Sequence, residues 1–330
     1  MEEILPHLYR IVVPLPHNPL KEVNSWVFTS PDRNLVIDTG MNRPECSEVL
    51  LPGLEELGVD LDKTDFVITH LHADHLGLVA SLAREGARIY MGRTDASAME
   101  TGSGWRRMAE FARMSGFPED ELEAAIQAHP GYRYGPGQPL KFTYVGDGDE
   151  IRVGEYTLVV VETPGHSRGH ICLYDPKRKV LISGDHILID ITPNIQLWSH
   201  EENALGNYIA SLTKVSRLDM VRVLPGHRRI IDDPAGRIRE LKTHHLNRCN
   251  EVLSILDGRS LNAYEVASRM TWDITYKRWE DFPVSQKWFA TAEAIAHLKF
   301  LMDKGLVRCG TENGKHAYDT PRSVQLKSVD

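Results

Sequence analysis

The sequence predicts a mixed α/β fold, and three observations carry that expectation. Short β-branched or aliphatic runs recur through the first two thirds of the chain, each ending in a polar residue beside a glycine or proline. Stretches with helical spacing lie between and after them. The composition, 42% hydrophobic and 25% charged over 330 residues, is ordinary for a globular protein and leaves room for one large domain and a small one.

The strand-like runs share one local grammar. "NLVIDTG" sets Asp38 after Leu35–Ile37, and "DFVITHLHADHLG" sets His70 after Phe66–Thr69. "YTLVVVETPGH" sets His166 after Leu158–Val161. "KVLISGDH" sets Asp185 after Val180–Ile182, and "VRVLPGH" sets His227 after Val221–Leu224. The apolar runs read as buried strands, and the Gly and Pro residues after them as sharp loops at strand ends. Loops on one edge of a sheet can aim side chains at a shared site from a rigid base.

The second run is the richest. Residues 69–78, "THLHADHLGL", hold His70, His72, Asp74 and His75 within six positions. A core rejects such groups, because an unpaired polar group costs roughly 2–7 kcal/mol on burial. The apolar stretch "LGLVASLAREG", closing at Gly86, places the cluster between a strand and a helix. Taken singly, His166, His227 or Asp185 reads as a turn or cap residue, and His170, His186, His200, His244, His245 and His297 read as bystanders. Turn chemistry does not call for an HxHxDH cluster followed in order by PGH, GDH and PGH.

Bulk properties remove several classes of function. No apolar run approaches the ~20 residues that span a bilayer, so no membrane role is expected. The start, "MEEILPHLYR", lacks the apolar core of a secretory signal. Cys46, Cys172, Cys249 and Cys309 are widely spaced with no CxxC, which argues against a disulfide framework or a cysteine zinc site and suits a reducing cytoplasm. Residues 234–330 hold 15 Lys and Arg against 12 Asp and Glu, a charge of +3. Residues 1–233 hold 23 against 34, a charge of −11, which disfavours general electrostatic binding of nucleic acid.

In their order, His70, His72, Asp74, His75, His166, Asp185 and His227 resemble the metal-ligand set of the metallo-β-lactamase superfamily, and the resemblance covers roughly residues 5–233. It implies an αββα sandwich, two mixed sheets face to face with helices outside. It also implies two divalent ions, zinc first, with iron or manganese as alternatives; imidazole and carboxylate ligands suit such metals. His70, His72 and His166 would hold one ion, Asp74, His75 and His227 the other, and Asp185 would bridge them together with a hydroxide. Asp74 and Asp185 are thereby the catalytic carboxylates, with Asp74 orienting the hydroxide. Asp38 resembles the family's carboxylate behind the ligands, fixing the histidine loop. β-Lactamases of the family that use two zincs carry Cys or Ser near the Asp185 position and are exported, so this chain resembles the glyoxalase II, lactonase and nuclease side.

Two further segments complete the organisation. Residues from about 93 to 140 form a helical insertion. "SGWRRMAEFARMSGF" reads as one helix, and "PEDELEAAIQAHPG" as another, with Pro118 at its start, acids in its first turn and a Pro-Gly stop. We expect this insertion to cap the site, with Trp105, Met108, Phe111, Met114, Tyr132 and Tyr134 as an apolar wall against a small-molecule substrate. The alternative is that these residues glue the insertion to the sandwich or to a second subunit. After a domain at 1–233, residues 234–258 read as a connecting helix. Residues 259–330 read as helix, helix and hairpin: an Asn262/Glu265 capping box, a helical face at Phe289, Ala292, Ala296 and Leu298–Met302, and an Asn313-Gly314 turn. This tail resembles a winged helix, and with the insertion it offers an interface for a homodimer. The expected activity is two-metal hydrolysis of an ester, thioester or lactone. The alternative is a phosphodiesterase or endoribonuclease that grips RNA through the tail.

Overall fold

Seven strands form one sheet and five another in the computed structural model, which describes residues 1–102, 104–321 and 324–330. The first sheet runs in sequence order: β1 (Glu2–Leu5), β2 (Leu8–Pro14), β3 (Glu22–Phe28), β4 (Asn34–Ile37), β5 (Thr64–Ile68), β6 (Ile89–Gly92) and β7 (Thr143–Val145). β1 to β4 pair antiparallel, and β4 to β7 pair parallel. The second sheet holds β8 (Glu150–Val153), β9 (Tyr156–Glu162), β10 (Ile171–Asp175), β11 (Val180–Gly184) and β12 (Arg222–Pro225). Its pairs are antiparallel except β11 with β12, which is parallel.

The side-chain period of two sorts each strand between two cores. Trp26, Phe28, Leu35, Ile37 and Val67 of the first sheet meet Leu158, Val160, Ile171, Leu173, Ile182 and Leu224 of the second. The neighbours Val27, Val36, Phe66 and Ile68 face the other way, onto Cys46, Leu50 and Leu54 of the helix Pro44–Glu56. β4 and β5 are buried on both faces, which is why "NLVI" and "DFVI" read as continuous apolar runs. The expected sandwich, sheets face to face with helices outside, is therefore present.

The chain divides into two compact units. The first, Met1–Ser103 with Pro130–Pro193 and Ser211–Ile238, contains both sheets. The second comprises Gly104–His129, Asn194–Ala210 and Arg239–Asp330. In it, Ala109 and Ala112 of the helix Trp105–Met114 and Leu122 and Ala125 of the helix Glu119–Ala128 pack with Trp288 of the helix Val284–Asp303. Glu119–Ala128 starts after Pro118 with three acids in its first turn, and Pro130, at the expected Pro-Gly stop, opens one further turn, Pro130–Arg133. The Asn262/Glu265 capping box forms reciprocally. Asn313 and Gly314 turn β13 (Arg308–Glu312) into β14 (Lys315–Asp319) with positive φ at both residues. All four cysteines are free, and among the described residues no helix is long and apolar enough to cross a membrane.

Candidate metal centre

Five strands end at the same chemistry. β4 and β5 run parallel in one sheet, as do β11 and β12 in the other, so their C-terminal ends open on one edge. Asp38 follows β4, His70 to His75 follow β5, His166 follows β9, Asp185 follows β11 and His227 follows β12. Three groups of potential ligand atoms result, each lying within 4.8 Å of one another: His70, His72 and His166; His70, His75 and Asp185; Asp74, His75 and His227. All seven of these residues lie in the first unit, and all are buried except the half-buried His72.

Asp185 stands at the junction. Its Oδ1 lies 3.4 Å from Nε2 of both His75 and His227, and its Oδ2 lies 3.5 Å from His166 Nε2. Asp74 Oδ2 lies 3.5 Å from His227 Nε2 and 3.8 Å from His75 Nε2. Gly226 presses its backbone against this junction; a Cβ there would sit 2.5 Å from Asp185 Oδ1 and 2.9 Å from His75 Cε1.

The ring nitrogens facing away from the junction are held by the protein. His75 Nδ1 donates to Asp38 Oδ2 at 2.7 Å, and His227 Nδ1 donates to the Glu22 carbonyl. Thr69 donates its N–H to Asp38 Oδ1 at 2.9 Å and its hydroxyl to Asp38 Oδ2 at 2.8 Å. The Thr69 oxygen therefore accepts from His70 Nδ1 at 3.0 Å. Asp38 adopts a left-handed backbone (φ 60°), an unfavourable state for a non-glycine residue that these bonds and its accepted Ser25 hydroxyl offset.

The donor set fits divalent ions. With Nδ1 committed to Thr69, His70 Nε2 carries a lone pair aimed at His72 Nδ1, 3.0 Å away. His75 Nε2, His227 Nε2 and Asp185 Oδ1 are buried without a hydrogen-bond partner. Buried polar atoms converge unpaired in this way where a cation is shared between them. Electrostatics divides the groups. Burial first, then neighbouring imidazoles, push His70 well below the usual histidine range and His72 to about 3, so both are neutral. Burial also opposes charge on His75 and His227, but carboxylates prevail. Asp38, Asp185 and Asp74 hold His75 well above its usual value, and Asp185 and Asp74 hold His227 at about 10.

Two supporting residues escaped the sequence reading. His170 is in none of the three groups, yet its Nε2 accepts the Asp185 N–H at 3.2 Å while Nδ1 meets Thr163 Oγ at 2.8 Å. Asp95, fully buried on the helix Arg93–Thr101, binds the loops of His70–His72 and of His166. A strand-end pattern finds ligands but not an acid two residues into a following helix.

The expected substrate wall is divided between the units. Tyr132 is exposed, and Tyr134, partly buried under Arg43, packs on the core of the first unit. Trp105, Met108 and Phe111 belong to the second unit, as does Met114, which is exposed. There Trp105 lies edge-on to His129, Met108 packs on the Trp288 cluster, and Phe111 lies against His200 and His316.

Residues 19–227 match the family described as the metallo-beta-lactamase superfamily. A beta-lactamase-like protein 2 homolog of Caenorhabditis elegans is 24% identical over 92% of this chain and 85% of its own length. The human acyl-coenzyme A thioesterase MBLAC2 is 30% identical over 62% of this chain and 72% of its own. A crystal structure of a metallo-beta-lactamase family protein from Thermus thermophilus superposes with a TM-score of 0.82 at 28% identity, covering 96% of this chain and all of that one.

Proposed function

The chain belongs to the metallo-β-lactamase superfamily, and from that premise we propose that it is a two-metal hydrolase whose substrate is an acyl thioester. That it is a metal-dependent hydrolase accords with its family and with a thioesterase among its relatives. The two-metal reading rests on one observation: Asp185 turns one oxygen to His75 and His227 and the other to His166. A carboxylate so placed could serve two ions, zinc by preference for this donor set, with iron or manganese as alternatives.

Two divalent ions bound here would supply a Lewis acid for the carbonyl and an acidified water. The chain does the rest. His70, His72 and His166 would hold one ion; Asp74, His75 and His227 would hold the other. Asp74 and Asp185 would accept hydrogen bonds from a water bound there and so orient it. Asp38 holds the His75 ring and, through Thr69, the His70 ring, so the ligands need no rearrangement as charge develops. The human relative's name supplies the thioester preference. Tyr132 and Tyr134, which lie in the same unit as the candidate ligands, are the residues we assign to the acyl chain. The winged-helix-like tail, 259–330, we assign to scaffolding, because Trp288 packs on the helices of the insertion.

The test is turnover on a panel: acyl-coenzyme A esters of graded chain length, a lactone, a β-lactam, a phosphodiester and single-stranded RNA, with metal content measured on the same preparation. We expect thioester hydrolysis to lead and to vanish on chelation. Faster cleavage of RNA or of the phosphodiester would replace the thioesterase reading with the nuclease one.

A further inference from the structure

The Asp95 carboxylate accepts three hydrogen bonds that join two loops. Leu71 N–H, between His70 and His72, donates to Oδ2 at 3.1 Å. The Ser167 hydroxyl, one residue after His166, donates to the same oxygen at 2.5 Å. Gly169 N–H donates to Oδ1 at 2.6 Å. Asp95 lies in the first turn of its helix, where the dipole favours a carboxylate. The surrounding backbone is built for close approach. A Cβ on Gly92 would sit 2.1 Å from the Gly169 carbonyl oxygen, and one on Gly169 would sit 2.3 Å from the Asp95 nitrogen. No carboxylate oxygen of Asp95 is offered to the ligand groups.

The two loops that Asp95 joins carry His70, His72 and His166, and none of the other group, Asp74, His75 and His227, accepts or donates a bond to it. We propose that Asp95 is a positioning residue for one ion only, the one held by His70, His72 and His166, by fixing the spacing between the two loops that supply its ligands. This rests on the two-metal reading. Asp38 holds His75 directly and His70 through Thr69, so the bonds of Asp95 are a support that reaches the His70, His72 and His166 group alone.

The experiment is stepwise titration of the metal-free protein with Co(II), followed by visible absorption, in the full chain. His72→Ala and His227→Ala identify which step belongs to which ion. Asp95→Asn replaces one acceptor oxygen by a donor amide, so it loses at least one of the three bonds. We expect it to weaken the step that His72→Ala removes by about 10–100-fold and to leave the His227 step within a factor of about three. Ser167→Ala, which keeps the carboxylate, should weaken the same step by less and serves if Asp95→Asn does not fold. Equal weakening of both steps, or no change in either, in the variant that folds would overturn the proposal. Binding of a single ion by the wild type would instead remove the two-metal reading. Asp95 would then be judged on that ion: weakening sustains it where His72→Ala abolishes the step, and an unchanged step overturns it.

Discussion

At the scale of single residues, the centre is a set of histidines in two charge states. His70 and His72 are neutral near pH 7, whereas Asp185 and Asp74 keep His227 protonated up to about 10 when no metal is bound. The sign of the pH effect follows. A group with a raised pKa gives up its proton when a cation replaces it, so uptake of the ion at Asp74, His75 and His227 should release protons at pH 7, and its affinity should rise with pH until about 10. Uptake at His70, His72 and His166 draws on His70 and His72 already in ligand form and should release fewer. Calorimetry in two buffers of different ionisation enthalpy reads this directly; equal proton release by both ions would count against the assignment. Asp185 and Gly226 supply a second check. Asp185→Asn should lower hydrolysis by roughly 100-fold or more, since even supporting residues of such sites are worth 10–100-fold. Gly226→Ala drives a methyl group to within 2.5 Å of Asp185 Oδ1 and should produce a similar loss. Circular dichroism should be unchanged in both, because Asp185 and Gly226 follow the ends of β11 and β12 and belong to neither apolar core.

At the scale of elements, packing decides what a motif means. Trp288 is almost fully buried, beside Trp198 at 4.0 Å between ring centroids and against Phe117, Ala112 and Leu122. Trp288→Ala should cost about 3–5 kcal/mol in the second unit, seen as an earlier thermal transition with the metal-bound transition of the first unit retained. A single shifted transition would show that the units melt together. Asn262→Ala should cost about 1 kcal/mol by removing the reciprocal cap. Elements of this kind were legible because their signals are local: "NLVI" and "DFVI" are buried on both faces, and Asn262 precedes Glu265 by three. β3 was not, since Asn24 and Ser25 interrupt its apolar run. Both are buried for reasons at a distance: Ser25 donates to the Asp38 carbonyl, and Asn24 to the carbonyls of Pro225 and Arg228. Strand ends pick out His70, His166, Asp185 and His227, and the family resemblance completes the seven candidate ligands, whereas Asp95 and His170 act through partners up to 74 positions away in the chain. Nor does helical spacing in residues 105–128 reveal that their apolar face meets Trp288, more than 150 residues later.

At the scale of the whole molecule, the second unit is assembled from three separated segments, so its helices 105–128 depend on residues far down the chain. Lys287 ties the same pair of segments by donating to Glu121 at 2.8 Å. A chain ending near Gly258 should therefore lose the folded state of the second unit, exposing Ala112, Leu122 and Ala125, and should aggregate or bind a hydrophobic dye. Every candidate ligand precedes residue 228 and lies in the first unit, so any truncated protein that stays soluble should still bind metal and cleave a minimal thioester. The tail's cations bear on the nuclease alternative. Arg278 makes two bonds to Asp281, Arg308 pairs with Asp319, Lys299 with Asp303 and Lys287 with Glu121. Cations neutralised by neighbouring carboxylates release few counterions from a phosphate backbone, so the full chain should bind single-stranded RNA weakly, with a shallow dependence on salt. Charge reversal at Lys277 and Arg278 should then change neither that binding nor thioester turnover. A sub-micromolar RNA affinity that falls steeply between 50 and 200 mM salt, by the ~10³-fold or more expected of six or more phosphate contacts, would instead make the tail a nucleic-acid grip. Its loss on truncation at Gly258 would locate the grip in the second unit and replace the thioesterase reading of the candidate metal centre with a phosphodiesterase one.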